Sequence, residues 1–296
     1  MTHQRGARTL TALYLACTTV RVAGSLGVLL AGFGWLGPWS GLVLLGWLAA
    51  TPALRTAAGE RRIVRLCRGF RALSVIDRET LAPVIAVVLA RCELTVERID
   101  WCVWRRDGGI NAYAAGRRSI AVSEGLLHAC TVGNIGADEA AGILAHEVGH
   151  LLDPTSRRRL LVAWLTGPWR MFQALFIQMI KMVARYAPGG RASLLLLPAV
   201  VVIAAVQLIE AGAWAPVAGI VGLVIAVGIT PLVDAAASRR AELAADNYAA
   251  TAGVAAHLAA VLARSQHAPR GRIVGLYARH PHVSLRLDRL GQFSGF

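Results

Sequence analysis

The sequence predicts an α+β fold class: a mostly helical protein that combines a soluble part with about four transmembrane helices. Composition predicts the membrane part, because 56% of the residues are hydrophobic and only 16% are charged, against about a quarter in soluble domains. The soluble part is predicted from residues 59–159, which contain most of the acidic side chains and three short strand patterns.

The net charge of +14 comes almost wholly from arginine, since Lys181 is the only lysine. The arginines cluster beside apolar stretches, so we interpret them as topology signals that face anionic lipid. The sequence has no basic groove with interleaved aromatic residues and no known nucleic-acid-binding motif. We therefore expect a lipid bilayer, and no nucleic acid, as a partner. The preference for arginine over lysine points to a bacterial source.

The five cysteines form no CxxC pair, and their odd number argues against a disulfide framework. We expect them to be small buried residues in a reducing compartment. This agrees with a soluble part that faces the cytoplasm.

The first apolar stretch, Val22–Leu54, is uncharged and broken at Gly37-Pro38. Its length suits two short transmembrane helices joined by a tight turn. Arginines precede and follow the pair, which places both ends in the cytoplasm by the positive-inside rule. We therefore predict a transmembrane hairpin over residues 1–58, in the cytoplasmic (inner) membrane of a cell.

Residues 59–159 are predicted to form a soluble domain. A helical pattern runs from Glu60 to about Arg91, with an interruption expected near Pro83. Acidic residues then begin a helix over Asp138–Leu152, as the helix dipole favours. Three strands are predicted between these helices: Ile99–Trp104, Asn111–Ala114 and Ser119–Val122.

The second apolar half, residues 160–233, has two possible interpretations. Leu160–Val183 contains two basic residues, and a charge at mid-bilayer costs roughly 2.5–3.5 kcal/mol. We interpret it as an interfacial amphipathic helix, with transmembrane helices at Leu194–Ile209 and Trp214–Val233. In the alternative, Leu160–Val183 spans with its polar side chains against another helix, and one later segment spans. In both topologies the chain crosses the membrane an even number of times, so residues 234–296 lie on the same side of the membrane as the soluble domain.

The central motif is His146-Glu147-Val148-Gly149-His150, on a predicted helix. Positions i and i+4 share one helix face, so both imidazoles can bind one Zn²⁺. Glu147 lies about 100° around the helix axis and reaches the metal-bound water. Zinc lowers the pKa of its water to about 7, and the glutamate passes the proton to the leaving amine. The motif therefore predicts a hydrolase with one zinc ion per chain.

A catalytic zinc ion uses three protein ligands, so one more is expected. Glu242 and Asp246 lie four residues apart in a strongly helix-forming segment. Glu242 could bind the metal, while Asp246 accepts a hydrogen bond from the outer nitrogen of a ligand histidine. The alternative is a solvated helix face. However, the segment is otherwise apolar after Arg240, where buried carboxylates need a partner.

Four blocks of the sequence, taken in order, resemble the HtpX-type membrane metalloproteases, to which the CAAX prenyl proteases are related. The blocks are Asn111–Gly116, Asp138–His150, Ser238–Asp246, and His280-Pro281 with Arg286. The resemblance covers about Ile110–Leu290 and the N-terminal membrane hairpin. It implies a zincin-like catalytic domain with zinc bound by His146, His150 and Glu242, and with Glu147 as general base.

The same resemblance implies roles for the outer blocks. An edge strand would hold the polypeptide substrate, formed by Asn111, Ala112, Tyr113 and Ala114. His280 would stabilise the oxyanion, and Arg286 would form an ion pair near the site. The implied activity is endopeptidase action on membrane or membrane-associated proteins, in protein quality control.

Three other classes of protein could carry this motif. A sensor-type membrane metallopeptidase shares the motif and a later glutamate, but needs a large extracytoplasmic domain for which no segment is long enough. A site-2-type protease places the motif on a membrane-spanning helix. A catalytically silent scaffold would have lost a ligand or the general base, and none is lost. The sequence does not define the oligomeric state.

Overall fold

The computed structural model describes residues 2–54, 56–153, 156–186, 190–264 and 278–294. These residues are mostly helical and include one four-stranded sheet. The chain forms two compact units, each made of two separate stretches. The helical unit comprises residues 1–48 and 162–237, and the α+β unit comprises residues 49–161 and 238–296.

The helical unit contains long apolar helices. Its elements, in whole or in part, are α1 (Thr2–Phe33), α2 (Trp39–Ala53), α7 (Ser156–Leu165), α8 (Gly167–Tyr186), α9 (Gly190–Glu210), α10 (Trp214–Val224) and α11 (Thr230–Thr251). A π-helical turn, Ile225–Ile229, joins α10 to α11. The last part of α11, from Ser238, belongs to the α+β unit.

Among the described residues, two helices are long and apolar enough to cross a membrane. They are Thr9–Leu36, with a mean hydropathy of 1.6, and Trp214–Thr251, with 2.3. Trp39–Ala53 qualifies only together with Ala57–Leu66, after a bend of 120°, and Pro198–Glu210 is shorter. The two or three apolar helices support a membrane protein, whereas the predicted four transmembrane helices are not confirmed.

A buried ion pair joins two helices of the helical unit. Arg21 of α1 is 4% exposed, and its Nη1 and Nη2 donate to Asp234 of α11 at 2.5 and 2.9 Å. Nearby, Trp169 of α8 packs so closely on α1 that a Cβ at Gly24 would lie 2.7 Å from its ring. Its backbone N–H also donates to Ser25 Oγ at 3.2 Å.

The α+β unit begins at the end of α2 and includes the last part of α11. Its other elements are α3 (Ala57–Arg68), β1 (Arg71–Ala72), α4 (Val75–Arg91), β2 (Asp100–Trp104), β3 (Ala112–Ala115), β4 (Ser119–Ser123), α5 (Glu124–Thr131), α6 (Ala137–Leu152), α12 (Ala255–Arg264) and α13 (Val283–Ser294).

The sheet has the strand order β1-β2-β4-β3, in which β2 and β4 are parallel and the other pairs antiparallel. The three predicted strands are all present, within two residues of the predicted bounds. Asn111 O accepts from Ser123 N at 3.0 Å. Because paired and unpaired positions alternate in an antiparallel ladder, Ala112 and Ala114 direct their N–H and C=O groups away from β4. Strand β3 thus has a free edge.

The predicted helix interruption near Pro83 is wrong, since α4 runs through this residue. The helical pattern instead breaks at Gly69, which has a φ of 70° and ends α3 with its N–H on Arg65 O. A capping box of Ser74 and Asp77 then begins α4. Buried apolar side chains on both sides of Pro83 compensate for its missing hydrogen bond.

Replacing Asp77 by Asn should destabilise the α+β unit. Burial would raise the pKa of Asp77, but hydrogen bonds from Ser74 and the Arg105 guanidinium outweigh it and hold the pKa below its ordinary 3.8. The loss should be about 1–2 kcal/mol at pH 7 for a cap and a partly buried ion pair.

Because the folded-state pKa of Asp77 is depressed, this stabilisation is present above about pH 4 and is lost as the pH falls through the folded pKa. Unfolding of wild type and variant, followed at pH 7 and pH 3, checks this. An equal difference in stability between wild type and variant at pH 7 and at pH 3 would contradict this role of Asp77. Glu79→Gln, an exposed change on the same helix, serves as control.

Helix α6 lies at the centre of the α+β unit. It packs against α4, α12 and β3, and its residues from Ala140 to Leu151 are buried except Glu147, which is partly exposed. The surrounding core includes Leu81, Val88, Ile120 and Leu258. The motif is therefore held rigidly, with one side chain presented at the surface.

Candidate active site

Two histidines of α6 form the base of the candidate site. His146 and His150 are 6% and 7% exposed, and their ring centroids lie 4.8 Å apart with the planes nearly perpendicular. Donor atoms of these histidines and Glu147 all lie within 4.8 Å of one another. The helical spacing thus brings the side chains of His146, Glu147 and His150 close together, as the sequence predicts.

A carboxylate from α11 completes the cluster. Glu242 is 7% exposed, with Oε1 3.3 Å from His150 Nε2 and Oε2 3.5 Å from His146 Nε2. Glu147 lies close to the histidines but is bonded to β3, since its Oε2 accepts from Ala114 N at 2.6 Å. Two imidazole nitrogens and two carboxylate oxygens thus face one another, which fits a zinc ion. This arrangement favours Glu242 over Glu147 as the third ligand.

The crowding of lone pairs in this cluster alters the pKa values of its members. Burial would raise the pKa of Glu242, but hydrogen bonds from the surrounding histidines outweigh it and hold the pKa well below 4.5. Burial would lower the pKa of His146, but hydrogen bonds to Asp246 and Glu242 raise it to about 9. Metal binding releases such protons, so the cluster is a place where a divalent cation can replace them.

Two residues behind the cluster, Asp246 and Arg286, orient His146. Asp246 is fully buried, and its Oδ1 lies 2.9 Å from His146 Nδ1. It also accepts from Arg286 Nε and Nη2 at 2.8 and 2.6 Å, and Arg286 Nη1 is 3.6 Å from Glu242. When His146 is neutral and donates from Nδ1 to Asp246, its Nε2 lone pair is directed at the cluster. Among the described residues, none hydrogen-bonds the buried Nδ1 of His150.

Replacing Asp246 by Asn should weaken zinc binding by about 10–100-fold, the usual effect of losing an outer partner of a ligand histidine. An amide cannot accept both the His146 and the Arg286 hydrogen bonds with the same strength. Competition for zinc against a chelator measures the affinity. Asp138→Asn, at an exposed position on α6, is the matched control, and equal affinities of the two variants would contradict the role.

Strand β3 lies against α6 and contains three of the four predicted substrate-binding residues, and the fourth, Asn111, directly precedes it. Side chains of two of them are already engaged, since Asn111 Nδ2 and Tyr113 Oη donate to Asp107 Oδ2 at 3.0 and 2.7 Å. Burial, with the Asp107 hydrogen bond, raises the pKa of Tyr113 well above 10, so it stays a donor. Ala112 and Ala114 offer backbone groups instead.

His280 comes from the segment that precedes α13. Its Nδ1 lies 3.2 Å from Glu242 Oε2, and its side chain is 67% exposed. The structure therefore brings this histidine to the open side of the cluster. Residues 265–277, which precede it, lie outside the described part of the chain.

Sequence reasoning missed two residues that shape the site. Asp107 holds the loop before β3, with its Oδ1 also accepting from Gly109 N at 2.9 Å. Gly149, inside the motif, lets α11 approach, because a Cβ there would lie 2.9 Å from Ala245 Cα and 3.0 Å from Tyr248 Cβ. The glycine is visible in the motif, but the side chains and backbone that require it belong to a helix almost one hundred residues further along the chain.

Replacing Gly149 by Ala should push α11 away from α6 and weaken both folding and zinc binding. Overpacking of this kind costs about 1–3 kcal/mol. The midpoint temperature of thermal unfolding and the zinc content per chain should both fall. Gly133→Ala is unsuitable as a control because of its positive φ of 73°. Gly291→Ala on α13, with no neighbour within 4 Å of the added Cβ, is suitable. Similar behaviour of the two alanine variants would contradict the close-packing role.

Buried histidines, a convergent glutamate and a second carboxylate beside a free strand edge define a metallopeptidase-type site. The sequence model of peptidase family M48 matches residues 77–293, nearly three quarters of the chain. The chain belongs to this family of metallopeptidases, which contains HtpX and the CAAX prenyl proteases, so the resemblance is confirmed. A comparison with curated proteins found no match.

Proposed function

We propose that this chain is a membrane-bound zinc endopeptidase that hydrolyses membrane or membrane-associated proteins. One observation carries the proposal: the buried cluster of His146, His150 and Glu242 has Glu147 between it and the free edge of β3. Membership of peptidase family M48 supports the peptidase activity. The two or three apolar helices support the membrane location.

One zinc ion per chain would be held by His146 Nε2, His150 Nε2 and the Glu242 carboxylate. When bound, zinc supplies a water with a pKa near 7 and polarises the scissile carbonyl. Asp246 fixes the His146 ring, and Arg286 in turn fixes Asp246. The family supports zinc as the metal.

The substrate would add to the free edge of β3 as an extended strand. Its backbone would pair with the outward N–H and C=O groups of Ala112 and Ala114. The Ala114 N–H now bonds Glu147, so a substrate carbonyl would compete for it. The released Glu147 carboxylate would take a proton from the attacking water and deliver it to the leaving amine.

His280 would act from the open side of the site. A ring N–H placed within hydrogen-bond reach of the scissile carbonyl would stabilise negative charge as it develops on oxygen. The high exposure of its side chain is consistent with contact to substrate. Its present partner, Glu242, would be engaged by the metal.

The arrangement of domains follows from this proposal. Residues 59–159 and 234–296 would form one catalytic domain in the cytoplasm, and residues 1–58 and 160–233 would lie in the inner membrane of a bacterium. The resemblance to HtpX-type proteases supports a role in protein quality control. The clustering of arginines beside the apolar stretches supports the orientation.

Purified full-length protein in detergent tests the activity. We expect no cleavage of an unfolded protein in the presence of a chelator. Cleavage should return when about one zinc ion per chain is bound, as a three-ligand site requires. Cleavage that is unaffected by the chelator, or protein that binds no zinc, would refute the proposal.

A further inference from the structure

Helix α3 has two faces of opposite character. Its inner side is buried, with Glu60 3% and Val64 1% exposed. Its outer face is exposed along a stripe at helical spacing i, i+3, i+4, i+7 and i+8. We call this stripe the outer face of α3, and it consists of Ala58, Arg61, Arg62, Arg65 and Leu66.

The outer face of α3 is positively charged and has no acidic residue. Arg61 lies 3.5 Å from Asp100 but is 43% exposed, so this pair is weak. Within the described part of the chain, no carboxylate forms an ion pair with Arg62 or Arg65. Leu66, between these charges, is 75% exposed. Exposed arginines around a large apolar side chain are typical of helices that lie on anionic membranes.

The inner side of α3 is fixed to the sheet. Glu60 accepts the backbone N–H groups of Arg117 and Arg118 at 2.8 and 3.0 Å. Val64 belongs to a small core with Phe70 and Ala121. Because these contacts are buried, α3 cannot rotate to hide Leu66. The outer face is therefore a permanent feature of the surface.

The outer face also lies close to where an apolar helix ends. Helix α3 starts four residues after Ala53, and the chain bends by 120° between the two helices. Gly59 permits this turn, because a Cβ there would lie 1.9 Å from Ala53 O.

We propose that the outer face of α3 docks on the anionic phospholipid headgroups of the membrane that α2 enters. The guanidinium groups would bind headgroup phosphates, and Leu66 would insert at the interface. Each arginine near an anionic surface strengthens binding about fivefold. The inference rests on the proposed membrane location and does not depend on peptidase activity.

Photo-crosslinking from position 66 tests this contact. Full-length Glu147→Gln protein, with benzoylphenylalanine in place of Leu66, would be placed in nanodiscs with or without phosphatidylglycerol. We expect lipid adducts in anionic discs at a yield about tenfold above that from a probe at Val132, an apolar residue that is 51% exposed. Equal yields from the two positions would overturn the proposal, as would adducts to protein in place of lipid.

Charge variants test the electrostatic part. Replacing the three arginines of the outer face, Arg61, Arg62 and Arg65, by Gln should lower the yield of adducts at least about tenfold. The control removes equal charge elsewhere in the α+β unit, by changing exposed Arg78, Arg91 and Arg106 to Gln. Equal losses in both triple variants would overturn a specific role for α3. If adducts form but wild type cleaves no protein, the proposed peptidase fails and the docking surface stands.

Discussion

Replacing Glu147 by Gln is expected to lower kcat/KM by about 10²–10⁴, the range for loss of a general base. Glu147 is the one partly exposed residue of α6 between Ala140 and Leu151. It lies beside the two histidines but bonds β3, so it is placed for proton transfer. Glutamine has nearly the same volume and can still accept from Ala114 N. The fold and the zinc content should therefore be unchanged.

Cleavage of an unfolded protein, measured together with zinc content, checks this. Glu79→Gln is the matched control, because Glu79 is exposed on α4, and it should behave as wild type. Activity of the Glu147 variant within tenfold of wild type would exclude a general-base role. A parallel loss of zinc would instead show that Glu147 is a ligand.

Replacing Glu242 by Gln is expected to weaken zinc binding by more than about 100-fold, beyond the range for outer partners of a metal site. The carboxylate faces both ligand histidines at 3.3–3.5 Å and supplies the negative charge of the cluster. The variant would also leave the buried Arg286 with Asp246 as its carboxylate partner. Activity should be lost together with the metal.

Chelator competition separates Glu242 from Glu147. Glu242→Gln should lose zinc, whereas Glu147→Gln should keep it while losing activity. Unfolding of both variants in the absence of metal shows whether loss of zinc follows from loss of folding. Equal zinc affinity in the two variants would contradict the assignment of Glu242 as third ligand.

Local patterns in the sequence predicted how several residues of the candidate site are placed. The i, i+4 spacing in α6 fixes His146 and His150 on one face whatever surrounds the helix. Strands β2, β3 and β4 were likewise predicted from short patterns within each segment. Glu242 and Asp246 needed a different argument, because their partners are far along the chain. Burial of carboxylates in an apolar helix indicated that a partner must exist.

Other features could not be predicted because they depend on close approach in space. The need for Gly149 arises from the backbone of Ala245, and the role of Asp107 arises from side chains that follow it on β3. The break between α3 and α4 was misplaced because Pro83 is a stronger signal than Gly69 in sequence. A left-handed glycine and a capping box decide the break in the structure.

The ion pair of Arg21 and Asp234 has a consequence for how the protein is made. A ribosome completes Arg21 more than two hundred residues before Asp234. If α1 spans the membrane over Thr9–Leu36, Arg21 lies near mid-bilayer, where an unneutralised guanidinium would until then cost roughly 2.5–3.5 kcal/mol. The first helix therefore reaches its most stable state only when one of the last helices has been synthesised. Insertion of this chain should be late and cooperative rather than sequential.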